Sequence, residues 1–265
     1  MIQKLQLFII SLLGLGQLIK YNFISSIPLE IYNEFSVVFY VTTFMYFIIK
    51  KILNKFKPSF QKINPAHKKM YVVKNYIKSF FLAGLCLQLH NFLNLISGTL
   101  DLFFIKRCAV YYIMNDVIGL LLVKKLPTTT KIHHMTTSLC GLAIIMKEHN
   151  NLDIITLIVL YAVFSSMAFC VNFYLGHRIH SENIKFKQIL SVSSFWIYLI
   201  SCIVCWIIQA FLAVLVIPTV PLWHSILYFG FLYSVGRDDI ILMKWLYDDN
   251  LNYKKILNVA ETNKN

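Results

Sequence analysis

The chain has 265 residues, of which 58% are hydrophobic and only 14% charged, against about 25% charged in ordinary soluble domains. Its formal net charge is +13. This composition argues against a soluble globular protein. The basic excess flanks apolar blocks and forms no recognisable reading module, which argues against nucleic-acid binding.

Taken in chain order, the apolar residues fall into eight blocks, near residues 5–24, 35–49, 79–97, 108–123, 134–147, 152–175, 190–217 and 222–243. A helical span needs about 20 residues, so the second, fourth and fifth blocks are short. The expected fold class is all-α, a polytopic transmembrane helical bundle of about eight spans. In the first block, Lys4 precedes an apolar run, and Gly14 and Gly16 are small enough for signal cleavage. The apolar character resumes at Ile19, Phe23 and Ile24, which favours an uncleaved span.

After the second block come nine lysines, from Lys50 to Lys78, in a stretch that also holds Pro58, Asn64 and Pro65. It reads as a loop and a boundary, separating a two-span leader (residues 1–75) from six further spans (76–247) and a tail (248–265). With a cytosolic N-terminus and a crossing at every block, nearly all Lys and Arg fall inside. Only Lys20, Lys106, Arg107 and Lys147 lie outside, with Arg237 within the last span. The positive-inside rule is then satisfied with both termini cytosolic. Lysines in the basic loop would sit beside an anionic leaflet, where each is worth about 1 kcal/mol. The six cysteines all lie in or beside apolar blocks and read as small buried hydrophobes, not as a disulfide framework.

The chemistry-bearing residues begin in the fourth block. An ionised carboxylate in mid-bilayer costs about 2.5–3.5 kcal/mol on insertion scales, so Asp116 is a candidate site. It lies eight residues before Lys124, about 12 Å along a helix, and Tyr112 shares its helix face. The fifth block opens on His133 and His134, with Thr137 and Ser138 continuing a polar stripe. A desolvated imidazole tends to stay neutral and a nearby carboxylate pulls its pKa back up, a pairing suited to general-base work on an amine or hydroxyl. A structural reading, in which the carboxylate only ties helices together, stands beside it. The eighth block carries Arg237, Asp238 and Asp239, and Asp239 is placed to reach the same inner half of the bundle. Asn172, Gln88 and His90 read as interhelical hydrogen-bonding groups. His177 and His180 would join the other histidines on one side, enough in principle for a metal, but the H-x-x-H-H clusters of membrane di-iron enzymes are missing, so no metal is expected.

These residues resemble the TLC-domain (Tram–Lag–Cln) family of multi-span membrane proteins, which includes ceramide synthases. Tyr112-x-x-x-Asp116 looks like the family's aspartate-bearing span, and His133-His134-x-x-Thr137 like its paired-histidine motif. Asn75-x-x-x-Ser79, Ser165-Ser166 with Asn172, and Asp239 six residues before Trp245 resemble further family positions. The likeness covers about residues 75–247. The chain departs from the pattern at Leu82, Val163 and Leu242, and lacks the acidic run that follows the histidines in ceramide synthases. The resemblance implies six TLC-like spans, an endoplasmic-reticulum or other endomembrane location, and a role in lipid metabolism. Its sharpest form is transfer of a fatty-acyl group from acyl-CoA, as co-substrate, to a long-chain amine. His133, His134 and Asp116 would be catalytic, and Tyr112, Thr137, Asn172 and Asp239 substrate-binding. No bound cofactor is expected, and the partner is a membrane lipid or long-chain lipid substrate. The alternative is a non-catalytic lipid-binding, trafficking or membrane-composition regulator.

Overall fold

A computed structural model describes residues 29–88, 101–146 and 153–262. The apolar block near residues 5–24, with its choice between cleaved leader and uncleaved span, lies outside the described residues, as do His90 and the second half of the block near 79–97.

Nine α-helices are formed by the described residues: α1 (Leu29–Phe56), α2 (Pro58–Gln61), α3 (His67–Cys86), α4 (Leu102–Leu122), α5 (Thr128–Ile145), α6 (Ile154–Ser165), α7 (Phe169–His177), α8 (Ile184–Val216) and α9 (Leu222–Thr262). No strand occurs among them. The helix starts follow local chemistry. Asp101 caps α4 by accepting from the Phe103 N–H at 2.9 Å. Asp153 and Thr156 form a capping box on α6, and Asn183 caps α8 through the Phe186 N–H; each satisfies a donor the first turn leaves free. Proline precedes α5 and sits in the first turn of α2, where a missing N–H costs nothing.

Between α6 and α7 the chain tightens into a 3₁₀ turn, Ser166–Ala168. The Ser166 hydroxyl donates to the Val163 carbonyl at 2.6 Å, the kind of back-bonding that bends helices. The two helices otherwise run as one element, Ile154–His177.

Three elements are long and apolar enough to cross a membrane: Leu29–Phe56, Ile154–His177 and Ile184–Thr219, with mean hydropathies of 1.5, 2.4 and 2.7. The remaining long helices carry more charge or more polar residues. Lys69, Lys74 and Lys78 interrupt α3, Lys106, Arg107 and Asp116 interrupt α4, and Arg237, Asp238 and Asp239 interrupt α9. The first half of α5 is polar. Several of these charges are buried against one another inside the bundle.

Packing closes a circuit: α3 on α4, α4 on α5, α5 on α9, α9 on α8, α8 on α6 and α7, and α7 back on α3. One core cluster runs through it, centred on Val72, Ile77, Val110, Ile113, Met114 and Leu157. The α1 helix packs against α3 and α4, and its buried Tyr46 hydroxyl donates to Asn115 Oδ1 at 2.7 Å. Across the circuit, Gln209 donates to the Leu157 carbonyl at 2.8 Å and accepts from the Tyr228 hydroxyl at 2.5 Å, tying α8 to α6 and α9.

The basic stretch from Lys50 to Lys78, expected as a loop, is helical for most of its length. The α1 helix continues to Phe56 and α3 starts at His67. Lysine is a good helix former, and the Lys69 ammonium lies 5.7 Å from the centre of the wholly buried Phe60 ring. The α3 helix therefore crosses the boundary placed at residues 75 and 76 and carries Lys74 and Asn75 into the bundle. At the other end, α9 runs unbroken past residue 247 to Thr262.

Candidate functional site

Asp116 projects from the middle of α4 and has no solvent exposure. Lys78 Nζ, from α3, lies 2.6 Å from its Oδ1. His134 Nδ1, from α5, lies 3.0 Å from the same oxygen, at an angle short of a full hydrogen bond. Thr137, one turn on from His134, places its hydroxyl 3.0 Å from Oδ2. On the far side of the imidazole, Lys74 Nζ sits 2.6 Å from His134 Nε2. That approach needs Gly119: a Cβ there would lie 2.9 Å from Lys74 Cε. The α4–α5 contact likewise needs Gly141, whose Cβ would fall 2.1 Å from Ile113 Cγ2.

His133 turns its ring edge toward His134, with centroids 5.5 Å apart. Its Nδ1 lies 3.3 Å from Asp238 Oδ2 on α9. That contact falls short of a hydrogen bond, and Nδ1 is buried without a hydrogen-bond partner among the described residues. The group thus joins α3, α4, α5 and α9. Two lysines oppose two aspartates, and with both imidazoles neutral the formal charge is zero. Such cancellation is what a buried charged cluster requires.

Asp116, His133 and His134 bring their donor atoms within 4.8 Å of one another, close enough for a metal ion. The donor set does not fit one, because protein ammonium groups already sit 2.6 Å from Asp116 Oδ1 and from His134 Nε2. A divalent cation would meet both lysines at contact distance, and like charges so placed repel strongly. His177 and His180 stand elsewhere, in and after the end of α7, where the Tyr76 hydroxyl meets His180 Nε2 at 2.5 Å. They do not join the other two histidines.

Beside the cluster lies a largely apolar cavity between α4, α5, α6 and α9. Ile113, Ile144, Ile158, Val163 and Phe231 form much of its wall. Its polar lining is Tyr112, Thr137 and Tyr161. Thr137 links the cavity to Asp116, and Tyr161 links it to a second carboxylate. Asp239 accepts from the Tyr161 hydroxyl and, at 2.6 Å, from the Tyr198 hydroxyl.

The sequence-based site residues therefore separate into three places. Asp116, His133, His134 and Thr137 come together, and Tyr112 lines the adjoining cavity. Asp239 faces α6 and α8, while its neighbour Asp238 faces α5 and the histidine pair. Asn172 turns back on its own helix and donates to the Ala168 carbonyl at 2.9 Å, satisfying a group freed by the 3₁₀ break. Arg237 is exposed and forms no ion pair with either carboxylate. Lys74 and Lys78 were counted as loop charge and belong to the cluster. Their four-residue spacing just ahead of an apolar run is the signal that marks them as one helix face.

The fold and site together define an all-helical protein with membrane-length helices around a buried, charge-balanced cluster and an apolar cavity. No known protein family, curated protein or solved structure matches the chain.

Proposed function

We propose that this is a multi-pass membrane protein of TLC type that acts in lipid metabolism. In this reading the chain crosses the membrane about eight times, with both termini cytosolic, in the endoplasmic reticulum or another endomembrane. The observation that carries it is the adjacency of the Asp116 cluster to the apolar cavity through Thr137. A largely apolar cavity with a few polar groups on its wall is the kind of site that takes an aliphatic chain and fixes its orientation.

The reaction that suits these groups is transfer of a fatty-acyl group from acyl-CoA to a long-chain amine. The amine nitrogen attacks the thioester carbonyl, the C–S bond breaks, and the CoA thiol leaves. His133 is the better placed base. Asp238 faces its Nδ1 and leaves Nε2 to take the amine proton, the arrangement by which a carboxylate orients an imidazole. His134 Nε2 is taken up by Lys74 and its Nδ1 stands 3.0 Å from Asp116, which suits an electrostatic and positioning role. Basic residues at the cytosolic rim would attract the CoA phosphates.

Purified full-length protein given acyl-CoA and a long-chain amine should release free thiol and form the amide, and His133→Ala should abolish both. A second reading, a non-catalytic lipid-binding regulator, is favoured by the Lys74 ammonium that occupies His134 Nε2. Saturable lipid binding by native mass spectrometry with no thiol release would select it.

A further inference from the structure

Asp239 differs from the other buried carboxylate among the described residues, Asp116, and from its part-exposed neighbour Asp238. Asp116 has Lys78 at 2.6 Å, and Asp238 has His133 at 3.3 Å. Asp239 is 4% exposed, yet among the described residues it forms no ion pair with lysine, arginine or histidine. Its hydrogen-bond partners are the two phenol hydroxyls of Tyr161 and Tyr198, one on each oxygen. A carboxylate offers about four lone-pair sites, so two remain open. Lys74 contacts His134 and Lys78 contacts Asp116, so neither ammonium of the cluster is paired with Asp239.

A narrow hollow adjoins Asp239, lined also by Ser165, Ser201, Cys202, Cys205 and Trp206. Tyr161 borders both this hollow and the large apolar cavity. A molecule with an aliphatic chain in the cavity could thus present its polar end to Tyr161 and Asp239. A buried carboxylate without a cation is costly, and the chemistry that relieves it is an organic ammonium donating N–H bonds to the open lone pairs.

We propose that Asp239, held by Tyr161 and Tyr198, is the ammonium-binding station for a long-chain amine whose chain occupies the α4–α5–α6–α9 cavity. This rests on the lipid reading above and adds which residue selects the amine. It also explains why consecutive residues of α9 diverge. Asp238 faces the proposed base and Asp239 the nitrogen's resting place, on Cα atoms about 3.8 Å apart.

The test uses full-length protein in detergent and a chain-matched series, stearylamine, stearyl alcohol and stearic acid, read by native mass spectrometry titration. The amine should bind about tenfold or more tighter than the alcohol, the size of one charge-assisted hydrogen bond. Asp239→Asn, close to isosteric, should erase that preference while alcohol binding persists, which also shows that the variant is folded. Gly84→Ala, which meets nothing within 4 Å and lines neither hollow, should keep the preference. An unchanged amine-to-alcohol ratio in Asp239→Asn overturns the proposal, as does loss of the preference in Asp116→Asn alone. Failure of all three probes to bind removes the lipid reading itself.

Discussion

Lys78 Nζ and Asp116 Oδ1 meet at 2.6 Å inside the bundle, joining α3 to α4. The aspartate side chain has no exposure and the lysine has 9%, so neither charge has water to fall back on. Removing one partner leaves the other uncompensated, which costs about 3–5 kcal/mol for a buried pair. Lys78→Met should therefore lower the melting temperature in detergent sharply. The double variant Lys78→Met/Asp116→Leu should recover most of that loss, since apolar replacement of a whole buried pair is often neutral. Equal destabilisation in the single and double variants would contradict the pairing.

Gly119 and Gly141 make different predictions. Gly119→Ala places a methyl 2.9 Å from the Lys74 stem, whose flexible end can move away. It should cost about 1 kcal/mol or less in stability while drawing Lys74 off His134, so amide formation falls more than folding does. Gly141→Ala drives a methyl to 2.1 Å from Ile113 Cγ2 and should cost about 1–3 kcal/mol or more. Gly84, with nothing within 4 Å, is the neutral control. Melting curves of the three alanine variants check the order.

Asp238→Asn keeps the size of the side chain and removes the charge facing His133 Nδ1. If His133 is the base, turnover with acyl-CoA and amine should fall by about 10²–10⁴-fold, the range for a lost general base. Amine binding should stay within about twofold, because the amine is held at Asp239. A parallel loss of binding and turnover would place Asp238 in substrate recognition instead.

His180 lies in the turn after α7, outside the membrane-length helices. Burial holds its pKa below the ordinary 6.5, and His177 and Lys57 push it the same way. The unfolded chain therefore binds its proton first as pH falls. The stability contributed by keeping His180 neutral is fully present above about pH 6.5, the unfolded value, and is lost as pH drops through the lower folded value. Melting temperature should fall across that window, and His180→Gln should flatten the slope. A slope unchanged by His180→Gln would assign it to another group.

Much of this protein was legible in its residues alone. The all-helical class follows from long apolar blocks with no alternation of period two. Asp116 stood out because a carboxylate in an apolar helix demands an explanation, and the adjacent imidazoles did so for the same reason. Helical spacing correctly set Tyr112 and Asp116 on one face. What spacing left open was which face points inward. Lys74 and Lys78 are indistinguishable by charge from the other lysines around them, and only the packing of α3 against α4 and α5 turns them onto Asp116 and His134. Asp238 and Asp239 are identical neighbours in sequence, and the position of α9 between α5 and α8 alone sends one to a histidine and the other to two tyrosines. Charge and periodicity are properties of a segment, whereas the partner of a buried charge is a property of the helix that happens to lie opposite. That is why the sequence determined the all-helical class and drew attention to Asp116 and the histidine pair, and the tertiary structure decided which charges cancel.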